Sequence, residues 1–347
     1  MSVPLTSSVP CEPIGITPPS TLTARELDLQ QQRRCLAGRP GWRPPGGYLA
    51  ICLAARNQHA ELPEWLDYHR RLGVSHVYVM DDASQPPLGE VLAPYIEEGL
   101  VTHRYLEDYA AIQQELKDTT CHDPQAHHRQ MMMYALCLRD YGARHQWMAF
   151  IDIDEFFVFT DGTDDLPALL RGFEEYGGVG VNWRFFGSSG HKKRQANTLT
   201  AYTQCYAGNE EVHRHIKSVV QPRFTARMEG PHHGAFAPGY FAVTTSGSRV
   251  EGAFAKKPTY KRLALHHYVV KSREDFEEKM ARGNVMGEES RQESFWQQIE
   301  SQAVKTCYGG SKAWQRMFGK EQQAEEEEEQ GQGMARRRPK GGGKARS

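Results

Sequence analysis

The residues of this chain best placed to do chemistry are three carboxylates, Asp152, Asp154 and Glu155, inside the run Trp147 to Phe159 (WMAFIDIDEFFVF). Apolar residues lead into them, Trp147, Met148, Ala149, Phe150 and Ile151, and Phe156, Phe157, Val158 and Phe159 follow at once. An aromatic and branched run of this length predicts a strand buried on both faces. Carboxylates at its end are costly to bury unless something cationic sits against them. Asp152 and Asp154 are two residues apart, so in extended backbone both point to one face and Glu155 to the other. Two carboxylates on one face, at the carboxyl end of a buried strand, suit a divalent cation carrying phosphate.

The elements that would position these acids are read from both sides of the run. Tyr48–Ala55 is an apolar run that predicts a central strand, followed by a polar loop with Arg56, Asn57 and Glu61. Leu62–Leu72 has helical spacing, with Pro63 in its first turn and Gly73 as its stop. Val74–Met80 predicts a second strand ending at Asp81, Asp82 and Ser84. A helix opened by Pro86 and Pro87 then runs to about Glu98, and a third strand covers Leu100–Leu106. Pro124–Tyr141 reads as the helix that leads into the acid-bearing strand. Strand and helix alternate, which argues a parallel α/β sheet with helices on both faces. Three acid-bearing loops then fall at one edge, beyond the carboxyl ends of the strands, where such sheets bind ligands.

Beyond Leu166 shorter strands are expected at Val179–Phe186, Ile216–Val220, Tyr240–Thr244 and within Lys256–Val270. Ser272–Arg282 reads as a helix with Ser272 as its N-cap, Asp275 in its first turn and Gly283 as its stop. A last helix is expected within Glu288–Thr306. Residues 1–46 form a proline-rich irregular leader, 47–318 the folded domain, and 319–347 a disordered tail, acidic and then basic.

Bulk composition excludes several classes. The 347 residues carry 42 basic and 43 acidic side chains, a net charge of -1. That balance gives no electrostatic case for nucleic acid or an anionic membrane. No stretch is apolar enough to span a bilayer, and no secretory signal opens the chain. No Gly-x-Gly-x-x-Gly follows the first strand and no phosphate-cradling Gly-Lys loop occurs. The seven cysteines contain no C-x-x-C pair, and Cys52 and Cys137 read as buried thiols. The odd count points to a reducing compartment.

Taken together, the segments ARNQHAELPEWLDYHRRLGVSHVYVMDDAS, WMAFIDIDEFFVF, VNWRFFGSSGH, KSVVQP and LHHYVVKSREDFEEKMARG resemble glycosyltransferase family 92 and its family 2-like bacterial relatives. They cover most of residues 48–283 in the family's order. The resemblance implies a GT-A fold, a Rossmann-like α/β domain with a mostly parallel sheet. It implies inverting transfer of a sugar, galactose from UDP-galactose, to a glycan hydroxyl, with Mn²⁺ (or Mg²⁺). It also implies roles. Asp152 and Asp154 are expected to hold the metal with His267, for which His266, His232 and His233 compete. The donor falls to Arg56, Asn57, Glu61, Asp82 (or Asp81) and Asp152, and Lys217 is a candidate to neutralise phosphate. The acceptor wall is assigned to Trp183, Phe186 and Gly187.

Two features depart from the family pattern. The segment ANTLTAYTQCY holds no acid where a base is expected, which leaves Glu211, next to Glu210, as the candidate. The family's membrane anchor is not seen either. The resemblance implies the Golgi, while the sequence leaves a soluble protein open.

Overall fold

The structure is a computed structural model, and it describes residues 45–119, 128–283 and 293–319. Nearly all of the expected leader and tail lies outside those residues.

The first half is a strand–helix alternation. Its strands are β1 (Leu49–Ala55), β2 (His76–Asp81), β3 (Val101–Tyr105) and β4 (Trp147–Phe150). Its helices are α1 (Leu62–Arg71), α2 (Gly89–Glu97), α3 (Tyr109–Thr119) and α4 (Arg129–Asp140). β1 lies between β2 and β4 and pairs parallel with both, and β3 pairs parallel with β2. Alternation along β1 explains the two-faced core. Leu49, Ile51, Leu53 and Ala55 pack with Trp65, Leu66 and Tyr68 of α1. Ala50 and Cys52 pack on the other face with Met133, Leu136 and Cys137 of α4. Burying both faces is why β1 has no polar alternation in its sequence.

The second half is mixed. β5 (Glu155–Phe159) is followed by α5 (Leu166–Arg171), β6 (Gly178–Phe185) and β8 (Ile216–Val220), with β7 (Gln204–Cys205) between the last two. β8 pairs antiparallel with both β4 and β6. β9 (Thr225–Met228) and β10 (Gly234–Phe236) form a separate hairpin, and β11 (Ala242–Thr244) extends the sheet parallel to β6, with β12 (Arg249–Val250) outside it. β13 (Leu263–His267) runs parallel to β6 and antiparallel to β5. Helices α6 (Arg273–Arg282) and α7 (Glu293–Gln302) follow, then β14 (Lys305–Thr306), which pairs with β7. The expected α/β class with a mostly parallel central sheet is what the chain forms. Among the described residues no helix is long and apolar enough to cross a membrane.

Two expectations are corrected. WMAFIDIDEFFVF is not one strand: β4 stops at Phe150, residues 151–154 turn, and β5 starts at Glu155 with a new partner, β13. The cause is local. The Glu155 carboxylate accepts the Asp152 N–H at 2.8 Å, and the Glu155 N–H donates to the Asp152 carbonyl at 3.0 Å, so the backbone is bonded across a turn. Cys52 and Cys137 are not free thiols either, because they are bonded to each other, joining β1 to α4, and among the described residues Cys205 is likewise bonded to Cys307. Two bonded pairs fit oxidising surroundings, against the reading from the odd count.

Candidate functional site

The turn between β4 and β5 holds the acids at the carboxyl edge of the sheet, and each aspartate has its own lysine. Lys217 reaches from the middle of β8 and donates from Nζ to Asp152 Oδ2 at 2.6 Å. Its side chain is only 1% exposed. Burial works against its charge, but Asp152 and Glu155 outweigh that and hold its pKa above the ordinary lysine value. Gln130, in the first turn of α4, donates to the other oxygen of Asp152 at 2.8 Å. Asp154 accepts from Lys279 of α6 and has His267 Nε2 3.5 Å from its Oδ1. Burial opposes ionisation of both aspartates, yet Lys217 keeps Asp152 below its ordinary pKa and Lys279 with His267 keeps Asp154 well below.

Glu155 is the opposite case. It is fully buried, accepts from Trp183 Nε1 at 2.6 Å and lies 3.6 Å from Lys217 and 3.9 Å from His267 Nδ1. Desolvation, with the like charges of Asp152 and Asp154 added, outweighs Lys217 and pushes its pKa up to about 8. Glu155 therefore holds the turn together from behind, while Asp152 and Asp154 face outward.

The loops after β1 and β2 are tied to each other. The Asn57 N–H donates to Ser84 Oγ at 2.9 Å, and Asn57 Oδ1 accepts from the Gln85 N–H at 2.7 Å. Asn57 adopts the left-handed conformation (φ 53°), which asparagine tolerates better than most residues. Asp81 is consumed by the same loop, accepting from the Ser84 and Leu88 N–H groups at 2.9 Å and lying 3.0 Å from His103 Nε2. Asp82 is buried and accepts from Tyr109 Oη and Arg129 Nη2. Arg129 and Gln130 are neighbours in α4, so one helix start reaches both Asp82 and Asp152. Among the described residues the buried Arg56 Nε has no acceptor.

Other expected residues sit differently. Trp183 is buried, with its ring against His215 and His267 and its N–H on Glu155. Phe186 is fully buried between His266 and Tyr268. Gly187 touches α7: a Cβ there would meet Ala303 Cβ at 2.6 Å and Glu300 Oε1 at 2.8 Å. These three form packing around the site, and neither ring offers an open face to an acceptor. His266 lies beside the Tyr268 hydroxyl, and burial lowers its pKa to about 3. His232 lies against the Ile216 carbonyl, and burial again takes its pKa to about 3. Glu211 is 85% exposed and pairs with Arg214 at 3.1 Å, so the structure does not bring it to Asp152 or Asp154. Glu61 is half-buried at the start of α1 and shares a pocket with Asp154.

The donor types suit a hard divalent ion: two carboxylates and an imidazole. The Asp154–His267 spacing of 3.5 Å is close to that of two ligands on one ion, roughly 3 Å for bonds of about 2.1 Å. Asp152 is the weaker member because Lys217 and Gln130 occupy its oxygens. Among the described residues no three His, Cys, Asp or Glu side chains converge as a ready metal cage. The residues fit such an ion at Asp154 and His267, with Asp152 beside them.

A family model described as glycosyltransferase family 92 matches residues 48–307, from the start of β1 to the end of β14. This chain belongs to glycosyltransferase family 92. It is 28% identical over 184 residues to a family 92 protein of Oryza sativa subsp. japonica, covering 52% of this chain and 28% of the rice protein. It is 25% identical over 239 residues to one of Ricinus communis, covering 67% of this chain and 37% of that protein. The matched part thus spans well under half the length of either relative. A solved structure titled "Crystal Structure of a Mycobacterial Protein" aligns over 43% of this chain and 47% of that one, at 16% identity and a TM-score of 0.27. The family 92 match includes both the acidic turn and the α6 segment, which meet at Asp154 and Lys279.

Several site residues escaped the sequence reading. Gln130 and Arg129 carry no signal beyond starting a helix. Lys279 and Arg282 did leave one: with Asp275 their spacing of four and three residues puts them along one side of α6.

Proposed function

We propose that this chain is a glycosyltransferase that moves a sugar from a UDP-sugar, with UDP-galactose the expected donor, to a hydroxyl of a glycan acceptor with inversion. The observation that carries this reading is the Asp154–His267–Lys279 cluster beside Asp152, at the carboxyl edge of a family 92 sheet. The loops after β1 and β2 take the nucleoside, with Arg56 and Asn57 on one and Asp82 on the other. Mn²⁺, or Mg²⁺ in its place, would be held by Asp154 and His267 with Asp152 beside them, and would supply Lewis-acid neutralisation of the departing diphosphate. Asp152 and Asp154 stay ionised for that task because Lys217 and Lys279 stabilise their charge.

Inversion requires the acceptor hydroxyl to attack the anomeric carbon while UDP leaves from the opposite side, its proton passing to a carboxylate. Glu211 is the candidate from sequence, and Glu61, in the pocket beside Asp154, competes with it. Incubation with UDP-galactose, Mn²⁺ and a panel of β-galactosides, read by mass spectrometry, is expected to show an added hexose that Asp154→Ala abolishes. UDP binding without transfer or hydrolysis for any donor would instead establish a non-catalytic nucleotide-sugar-binding protein. The exposed, Arg214-paired state of Glu211 favours that second reading.

A further inference from the structure

The segment between β12 and β13 meets the sheet at its ligand edge. The Ile216 N–H at the start of β8 donates to the Ala253 carbonyl, and the Ala255 N–H to the Arg214 carbonyl, so Phe254 lies alongside His215. Two residues along β8 from His215 is Lys217, the partner of Asp152. Rings carry the same connection inward. Phe254 is 4.2 Å from His215 between ring centres, His215 is 4.8 Å from Trp183, and Trp183 is 4.7 Å from His267, which faces Asp154. Trp183 and His267 are buried, whereas Phe254 at the outer end is 46% exposed. A lone exposed aromatic is ordinary on a protein surface. This one stands in a run of positive charge: residues 249–262 carry five basic side chains and one acid, Glu251. Glu251 is paired with Arg249 at 3.3 Å, and Arg262 with Asp161 at 3.2 Å. Lys256, Lys257 and Lys261 are exposed and make no ion pair with a described residue. Phe254 and Lys256 flank the buried Ala255, so both are turned outward.

We propose that Phe254, Lys256 and Lys257 form an outer acceptor subsite, and that the acceptor it fits is an acidic glycan carrying carboxylate or sulfate. The proposal rests on the transferase reading above and adds the chemical class of the acceptor. A pyranose has an apolar face of C–H groups that covers an aromatic ring such as Phe254. The two ammonium groups meet the anionic substituents as point charges, which do not distinguish carboxylate from sulfate. The stack of rings fixes how far Phe254 lies from His267, as an acceptor site needs. A lipid surface fits less well, because one half-covered aromatic on a near-neutral chain gives little anchorage.

The test is calorimetric titration of the full chain, without donor, with oligogalacturonate, a sulfated galactan oligosaccharide and a neutral galactan oligosaccharide. The acidic probes are expected to bind more tightly than the neutral one, by a margin that shrinks as salt rises from roughly 0.05 to 0.3 M. Phe254→Ala should weaken acidic and neutral probes alike by about tenfold. Lys256→Gln with Lys257→Gln should weaken only the acidic probes, by about fivefold. Both variants change exposed side chains, and unchanged melting temperatures check that they fold. Binding of one acidic probe but not the other names the anion. Equal affinity for acidic and neutral probes, or no binding of any, overturns the proposal. So does salt-dependent binding that the variants retain, which belongs to another basic surface. Binding to phosphatidylserine vesicles with no glycan binding overturns it in favour of a membrane surface. Acidic-glycan binding that the variants lose, in a chain that transfers no sugar from any donor, supports the subsite and overturns the transferase reading instead.

Discussion

Lys217 and Glu155 show how far a single residue's role depends on what surrounds it. Lys217 occupies a strand position where a surface lysine would pass unnoticed, yet it is the sole buried cation facing both Asp152 and Glu155 among the described pairs. Removing one partner of a buried pair leaves the other uncompensated. Lys217→Met is therefore expected to destabilise the fold by about 3 kcal/mol or more, read from urea unfolding. Glu155 gives a pH signature. Its folded pKa, about 8, lies above the ordinary carboxyl value, so the folded protein holds that proton more tightly than the unfolded chain. Its contribution to stability is fully present below about pH 4.5 and is lost as pH rises through about 8. Relative to Glu155→Gln, the wild-type protein should lose stability across that window. A constant difference in melting temperature between the two from pH 5 to 8 would contradict this.

Among the elements, α6 is the one whose sequence and structure agree most closely. Ser272 accepts from the Asp275 N–H at 3.1 Å and the Asp275 carboxylate returns the bond to the Ser272 N–H at 3.2 Å, a complete capping box. Ser272→Ala should cost about 1 kcal/mol in chemical unfolding. The acidic run was legible as a site but not as an element. Its two halves are each apolar enough for a strand, and nothing in their order says that they belong to different partners. That choice was made by β13, over a hundred residues downstream, and by the Glu155 carboxylate, which closes the turn.

At the scale of the whole molecule, the two cysteine pairs join parts of the chain that are 85 and 102 residues apart. Cross-links across loops of that length stabilise by as much as about 4 kcal/mol. The replacement of Cys52 and Cys137 together by alanine should lower the melting temperature by several degrees, and peptide mapping without reductant should recover both bonded pairs. Recovery of free thiols at all four positions would show that the fold does not depend on them.

The alternation of strands and helices, the caps of α6 and the acids that face the ligand edge were all present in the order of residues. They depend on local periodicity and on spacing within a few residues, which a chain carries with it wherever it folds. The pairing of Asp152 with Lys217 and of Asp154 with Lys279, and the retirement of Glu155, Trp183 and Phe186 into the packing, were settled only by tertiary structure. Each of these turns on burial and on contacts between distant segments. The free energy of a charge is set by what lies within a few ångströms of it, and that is decided by the fold.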